Sequence, residues 1–488
     1  MRTPVILVAG QKDTDPVVGA LLRMPGTLVV EHRMEGHVVL RTTVMLQHGV
    51  LTTAESALEL AHGCVSCTIR NDLLVLLRQL HRRAEVERIV VHLAPWLEPE
   101  PICVAISHVR VRVAAGYVDG PAALDVSIAA VVTCVDSSVW VSQALGDEEL
   151  DDGRTQAQVV VGQAEFADVL VLNRADPFTA AALRRLAPRA RIQVGANGIG
   201  DTLNNLYRDA RQGRSDDPHD PLLSGQPPLN SRGPINLVEF HARRPFHPRR
   251  LHECLDVVLD GVIRTRGRLW LASRPSHAMW LESAGAGLRV SSAGKWLAAL
   301  APSELAHIDP GRRAFAELEW DADHGDRHTA MTILVCGANA SDILDALNGA
   351  LLTDREFASR PGFSTTIHLG TGTKTLVVIP RKGQRRIRPP ITAPTETTDE
   401  IWHSPRLPSR CLPGRHHRRD VFDSVDHHQF AHHRVGDAAR SAHLSPRCRR
   451  DHFRLTSVLD GQPTHRRHCR AGREIPPPLR QPSTNQPP

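Results

Sequence analysis

The sequence predicts an α/β protein in which a parallel sheet carries helices on both faces over residues 1–210 and a smaller α+β unit follows. Three observations support this. Short β-branched runs alternate with helical patterns through residues 1–210, the form taken by a sheet covered on both sides. A stretch rich in Gly, Pro, Ser, Asp and Arg, residues 211–234, then has the composition of a linker. Strand and helix patterns resume over residues 235–356 and fade beyond them.

In the first unit the expected strands are Val5–Ala9, Thr27–Glu31, Arg88–His92, Ala129–Val135 and Val169–Leu172. Leu73, Leu74, Leu76, Leu77 and Leu80 recur at helical spacing after Asp72, which predicts an amphipathic helix packed on the sheet. In the second unit Leu237–Phe240, Arg268–Ala272 and Thr332–Cys336 are strand-like, and helices are expected over Pro248–Val258 and Ala340–Leu352.

A chain of 488 residues exceeds what one core usually organises, in keeping with two units. No apolar run approaches the ~20 residues that cross a bilayer, and the N-terminus lacks the order of a signal peptide, so a cytoplasmic protein with no membrane partner is expected. Only Cys64 and Cys67 of the nine cysteines lie close together; in a reducing compartment such a pair indicates metal or redox chemistry before a disulfide framework. The formal charge of +6 averages two unlike segments, a mildly acidic body and a basic segment over residues 357–488. Direct nucleic-acid binding by the folded units is therefore not indicated. The basic segment, with Gln384–Arg388, Arg415–Asp420, His432–Arg434 and a Pro-rich end, buries too little apolar surface to offset chain entropy. A disordered tail and a frameshifted reading of GC-rich DNA both produce that composition.

Val5–Ala9 leads into Gly10, where a P-loop protein places G-x-x-x-x-G-K-[ST]. The glycines let backbone N–H groups curl around phosphate, the Lys reaches the β/γ oxygens, and the hydroxyl holds Mg²⁺. Only Gly10 is present. Pro16 and Val17 stand where the Lys and hydroxyl belong, and Asp13 and Asp15 would repel a triphosphate. Lys12 is the one cation in the loop. GTP or GDP binding in the usual manner is not expected. Farther along, Cys64 and Cys67 form a C-x-x-C whose thiolates reach one Zn²⁺ at ~2.3 Å, in a closed site that needs four ligands. Zinc is the expected metal, with His62 a candidate third ligand and His92 a candidate fourth. Two reduced cysteines at a loop–helix junction are the plain alternative.

The run Gly63-Cys-Val-Ser-Cys-Thr-Ile-Arg-Asn-Asp-Leu73 resembles the G-C-x-C-C-x-x-R-x-D-L motif of the CobW-like P-loop GTPase family, which includes zinc and cobalt metallochaperones and nitrile-hydratase activators. Ser66 replaces its middle cysteine. Arg88–Pro101 fits the strand where the family writes E-[ST]-[ST]-G-x-x-[DE]-P, with His92 for the acid and Pro95 for the glycine. Asn173-Arg-Ala-Asp176 resembles the guanine-reading N-K-x-D, which implies Asn173 and Asp176 as nucleotide contacts beside Gly10; a helix-capping turn is the alternative. In the second unit Arg244–Pro248, Ile263–Ala272, Gly294–Trp296, Gly325–Arg327 and Ala350–Asp354 are similar, in order, to segments of the family's C-terminal domain.

The resemblance implies a P-loop GTPase-like domain whose GTP hydrolysis is weak or lost, and a role that has moved from catalysis toward binding. It extends to members that recruit a ribosome hibernation factor to the small ribosomal subunit under zinc limitation. A GTP-dependent zinc metallochaperone is the alternative it leaves open, with an interaction module that holds no metal as a third.

Overall fold

The structure, a computed structural model, describes residues 1–60, 64–358 and 375–378. The first unit runs β1 (Thr3–Gly10), α1 (Asp15–Leu22), β2 (Thr27–Glu35), β3 (Val38–Gln47), β4 (Val50–Glu59), α2 (Val65–Leu80), β5 (Arg88–His92), α3 (Pro99–His108), β6 (Val126–Val135), α4 (Trp140–Ala144), α5 (Gln156–Glu165), β7 (Val169–Leu172), α6 (Pro177–Leu186), β8 (Arg191–Val194) and α7 (Ile199–Asn204). Its eight strands lie in the order β4-β3-β2-β5-β1-β6-β7-β8. β2, β5, β1, β6, β7 and β8 are parallel neighbours in that order, and β2, β3 and β4 form an antiparallel meander.

The continuous apolar run of β1 places it centrally, buried on both faces between β5 and β6. On one face Ile69, Leu73 and Leu77 of α2 and Ile102 and Ile106 of α3 pack over Val5, Leu7, Val30 and Val91. On the other, α5 and α6 close over Val135, Leu170 and Leu172. All five expected strands are present. Periodicity did not signal β3 and β4, because β4 is an exposed edge strand rich in Thr, Ala and Glu. The two are joined by a tight turn at His48 and Gly49, both at positive φ (49° and 78°), which suits the twist of a two-residue hairpin.

The second unit runs β9 (Ile235–Ala242), α8 (Pro248–Glu253), α9 (Leu255–Leu259), β10 (Val262–Trp270), β11 (His277–Ala284), β12 (Gly287–Lys295), α10 (Pro302–Leu305), α11 (Pro310–Leu318), β13 (Thr329–Cys336), α12 (Ala340–Ala350), α13 (Asp354–Ala358) and β14 (Thr375–Val378). Its antiparallel sheet has the order β14-β12-β11-β10-β13-β9. The expected helix over Pro248–Val258 is two short helices meeting at Cys254. Four residues assigned by composition to the tail, Thr375–Val378, pair with β12; the rest of residues 359–488 lies outside the described residues.

One face of this sheet carries α8, α9 and α12. The other sends Ile235, Ile263, Ala284 and Leu334 into the apolar layer of α5 and α6. Approach there is close: at Gly285 (φ 51°) a Cβ would lie 2.3 Å from the Gly146 carbonyl and 2.7 Å from Ala157 Cβ. At the margin of that layer Glu165 of α5 meets Arg264 (2.7 Å) and Arg266 (3.0 Å) of β10. Burial works against the Arg264 charge, but Glu165 and Glu282 outweigh it and raise its pKa.

The 211–234 segment connects the two sheets, yet it is pinned and not a loose tether. Asp216 pairs with Arg189 (2.9 Å), Arg211 (2.6 Å) and Arg266 (3.6 Å), and Arg268 donates to the carbonyls of Pro218 (3.0 Å) and Asp220 (2.8 Å). Arg268 also donates through Nε to His328 Nε2 (3.2 Å), and His328 packs on Trp296. Burial, reinforced by the Arg268 charge, pushes His328 down to about 4.

Two outcomes follow. Glu165→Ala leaves two guanidinium groups short of their carboxylate and should lower stability by ~3 kcal/mol, read as a fall in urea midpoint. His328 binds its proton more readily unfolded, so its contribution is intact above pH 6.5 and is lost as pH falls toward 4. At ~1.4 kcal/mol per tenfold change in proton affinity, the loss is ~3 kcal/mol, and His328→Gln should flatten that part of the stability profile.

Candidate functional site

The carboxyl ends of β1, β5, β6 and β7 form the crevice where an open α/β sheet takes its ligand. Gly10 ends β1 at φ 143°, and a Cβ there would lie 2.6 Å from the Cys134 carbonyl of β6. The glycine is thus required by the close approach of strands, with no phosphate needed to explain it. Past it, Asp13 adopts positive φ (58°) and α1 begins at Asp15 with Pro16 in its first turn. The Val17 and Val18 N–H groups already bond to the Thr14 carbonyl, at 3.1 and 2.9 Å, and Pro16 has none to offer. Asp15 supplies the negative charge that a helix N-terminus favours.

The surroundings of this turn are acidic. His92 Nε2 lies 2.9 Å from Thr14 Oγ1 and its Nδ1 3.6 Å from Glu31 Oε1. Burial raises the carboxyl of Glu31 and that of Asp15, the latter with help from Glu31 and Asp13 against His92. Burial also lowers His92, so the imidazole is neutral near pH 7. These residues do not fit a triphosphate held in the P-loop manner: carboxylates crowd the turn, Pro16 and Val17 stand where the lysine and hydroxyl belong, and the turn's one cation, Lys12, faces Asp136.

Asn173 and Asp176, expected as nucleotide contacts, both have definite structural tasks. The Asn173 amide donates to Asp13 Oδ2 (3.2 Å) and Asp136 Oδ1 (3.0 Å), and its Oδ1 accepts from the Ser137 N–H (3.1 Å). It ties together the loops after β1, β6 and β7. Asp176 is the N-cap of α6, accepting from the N–H groups of Phe178 (3.4 Å) and Thr179 (3.0 Å), and these bonds with the Thr179 hydroxyl lower its pKa.

Cys64 is the N-cap of α2, eight residues ahead of Asp72, and Cys67 lies in the first turn. The Cys67 N–H donates to Cys64 Sγ (3.2 Å), and the two sulfurs stand 2.7 Å apart, both half-exposed. Two sulfurs on one tetrahedral Zn²⁺ would stand ~3.8 Å apart, so the pair must open slightly to share an ion. His62 lies outside the described residues. His92, expected as a fourth ligand, is instead committed to the Thr14 and Glu31 corner, and among the described residues no group of three or more His, Cys, Asp or Glu side chains is disposed around a common point.

Sequence motifs marked the loop Leu93–Glu98 through Pro95 but missed the groups holding it. Gln11 and Gln163 both donate to the Pro95 carbonyl, at 2.7 and 2.8 Å, and Gln163 also donates to Leu97 O (2.8 Å). Arg154 donates to Trp96 O (2.8 Å) and to Glu98 (2.6 Å). Glutamines and an arginine scattered over 150 positions carry no spacing signal.

A model of the CobW/HypB/UreG nucleotide-binding domain matches residues 35–197, and one of the cobalamin synthesis protein CobW C-terminal domain matches residues 235–351. A Mycobacterium tuberculosis protein, zinc chaperone Rv0106, is 67% identical over 359 residues, spanning 74% of this chain and 90% of its own length. The chain belongs to the CobW family. Another CobW relative, zinc-regulated GTPase metalloprotein activator 1 of Dictyostelium discoideum, is 27% identical over 327 residues, 62% of this chain and 67% of that one. The Zn(II)-bound YjiA GTPase of E. coli covers 72% of this chain and 100% of its own at 13% identity, with a TM-score of 0.34. The CobW nucleotide-domain match begins at residue 35, past β1, the Gly10–Val17 turn and α1.

In this CobW chain, Asp176→Ala should cost ~1 kcal/mol of stability through loss of the α6 cap. Calorimetry with Mg-GTP and Mg-GDP should give no saturable heat for the wild type.

Proposed function

We propose that this CobW-family chain handles zinc as cargo, taken up at Cys64 and Cys67, without a P-loop GTPase cycle. The observation that carries the reading is the pair of adjacent, half-exposed sulfurs at the opening of α2. The zinc chaperone name of a relative 67% identical over 359 residues supports it. Two cysteines leave coordination positions that a donor or recipient protein can fill, and an incompletely enclosed ion is one that can be passed on. The GTP-dependent form of this activity is disfavoured by the acidic turn at Gly10–Val17, where Pro16 and Val17 stand in the places of the P-loop lysine and hydroxyl.

Zinc titration of the full chain against a chromophoric chelator tests this. One equivalent per chain is expected, lost in Cys64→Ser and in Cys67→Ser and kept in Asp176→Ala. Stoichiometric zinc in a chain lacking both cysteines would sink the assignment.

A second reading, recruitment of a ribosome hibernation factor to the small subunit, is favoured by a scaffold that keeps its structure where it has lost its phosphate-binding groups. Co-sedimentation with small subunits from zinc-limited cells, and none from zinc-replete cells, is the expected result on that reading. Absence from both would count against it.

A further inference from the structure

In nucleotide switches, the loop after the strand adjoining the P-loop strand is ordered by the terminal phosphate, through its backbone N–H groups, and relaxes when that phosphate leaves. Here that loop is Leu93–Glu98, following β5. Its position 95 is a proline, with no N–H to donate. The polarity of the contact is reversed. The Pro95 carbonyl receives the Gln11 amide (2.7 Å), which reaches across from the turn after β1, and the Gln163 amide (2.8 Å), which comes from α5. Gln11 donates in turn to Gln163 Oε1 (3.1 Å). Every carbonyl from Pro95 to Leu97 is engaged by a side chain, with Arg154 on Trp96 and Gln163 on Leu97. Leu97 is buried, and Gln163, at 1% exposure, is withdrawn from water, so exchange of these bonds for water is costly.

The same short helix faces the second sheet. Gln163 lies two residues from Glu165, which holds Arg264 and Arg266. At its other end Ala157 and Gln158 sit against Gly285 and Gly287 at the β11–β12 turn, while the Thr155 capping box fixes the first turn. Thr133 of β6 donates to the Gln163 carbonyl (2.7 Å), anchoring the helix to the central sheet.

We infer that Gln11 and Gln163 take the place of a terminal phosphate, holding the Leu93–Glu98 loop in one conformation to which α5 also fixes the second sheet. The chain is then a permanently set switch. Its conformation does not follow the nucleotide, and this holds whether or not Cys64 and Cys67 bind zinc.

Hydrogen exchange of the full chain tests it. Wild-type exchange over residues 93–98 should be the same with Mg-GTP, with Mg-GDP and with neither. Gln163→Ala should speed exchange there about tenfold and also raise it at residues 284–287, with nucleotide still without effect. Gln11→Ala, at a half-exposed position whose loss spares the core, should speed exchange in the loop alone if Gln163→Ala does not fold. A change of more than about threefold on adding Mg-GTP to the wild type, or an unaltered loop in Gln11→Ala, overturns the inference. Faster exchange confined to the loop in folded Gln163→Ala overturns the coupling to the second sheet.

Discussion

The position of α5 between two sheets is the constraint on which the rest of the molecule depends. Its apolar side joins α6 in a layer that receives Leu170 and Leu172 from the first sheet and Ile263, Ala284 and Leu334 from the second. A carboxylate at its C-terminal end, Glu165, contacts two largely buried guanidinium groups of β10 directly. Neither sheet has a complete core without this layer. Removing one partner from such a buried group leaves charge without compensation, and so ion pairing here works as a geometric constraint more than as a source of net stability.

Much of the architecture was legible in the residues. β1, β5 and β7 are continuous apolar runs because parallel strands are buried on both faces, and such runs stand out. The meander of β3 and β4 was invisible for the opposite reason: an edge strand with one wet face alternates weakly, and Thr, Ala and Glu mask what alternation there is. The segment 211–234 has linker composition because its backbone turns often. It is nonetheless held, since Asp216 meets Arg189 and Arg266, and the carbonyls of Pro218 and Asp220 meet Arg268, all outside the segment. Composition reports local backbone preference and is silent on distant partners.

The chemistry was legible in the same uneven way. Loss of the lysine and hydroxyl at Pro16 and Val17 is plain from spacing, since a P-loop is a local motif. Cys64 and Cys67 are likewise local, three positions apart, and the structure places them at the opening of α2. A fourth ligand from His92 was a guess across the fold. The structure turns that imidazole toward Thr14 and Glu31.

The persistence of Asn173 and Asp176 beside a dismantled phosphate loop has a physical explanation that needs no guanine. Asn173 satisfies groups in two loops besides its own, and Asp176 with Pro177 opens α6. Each would be retained by folding alone. A P-loop lysine and hydroxyl, by contrast, serve only a phosphate and its metal, so nothing else in such a fold requires them. Gly10 belongs with the first group, because the Cys134 carbonyl excludes any Cβ at its place. Gly10, Asn173 and Asp176 are therefore residues that the fold itself requires. A P-loop lysine and hydroxyl are not, and in this chain the loop Leu93–Glu98 is held by Gln11 and Gln163.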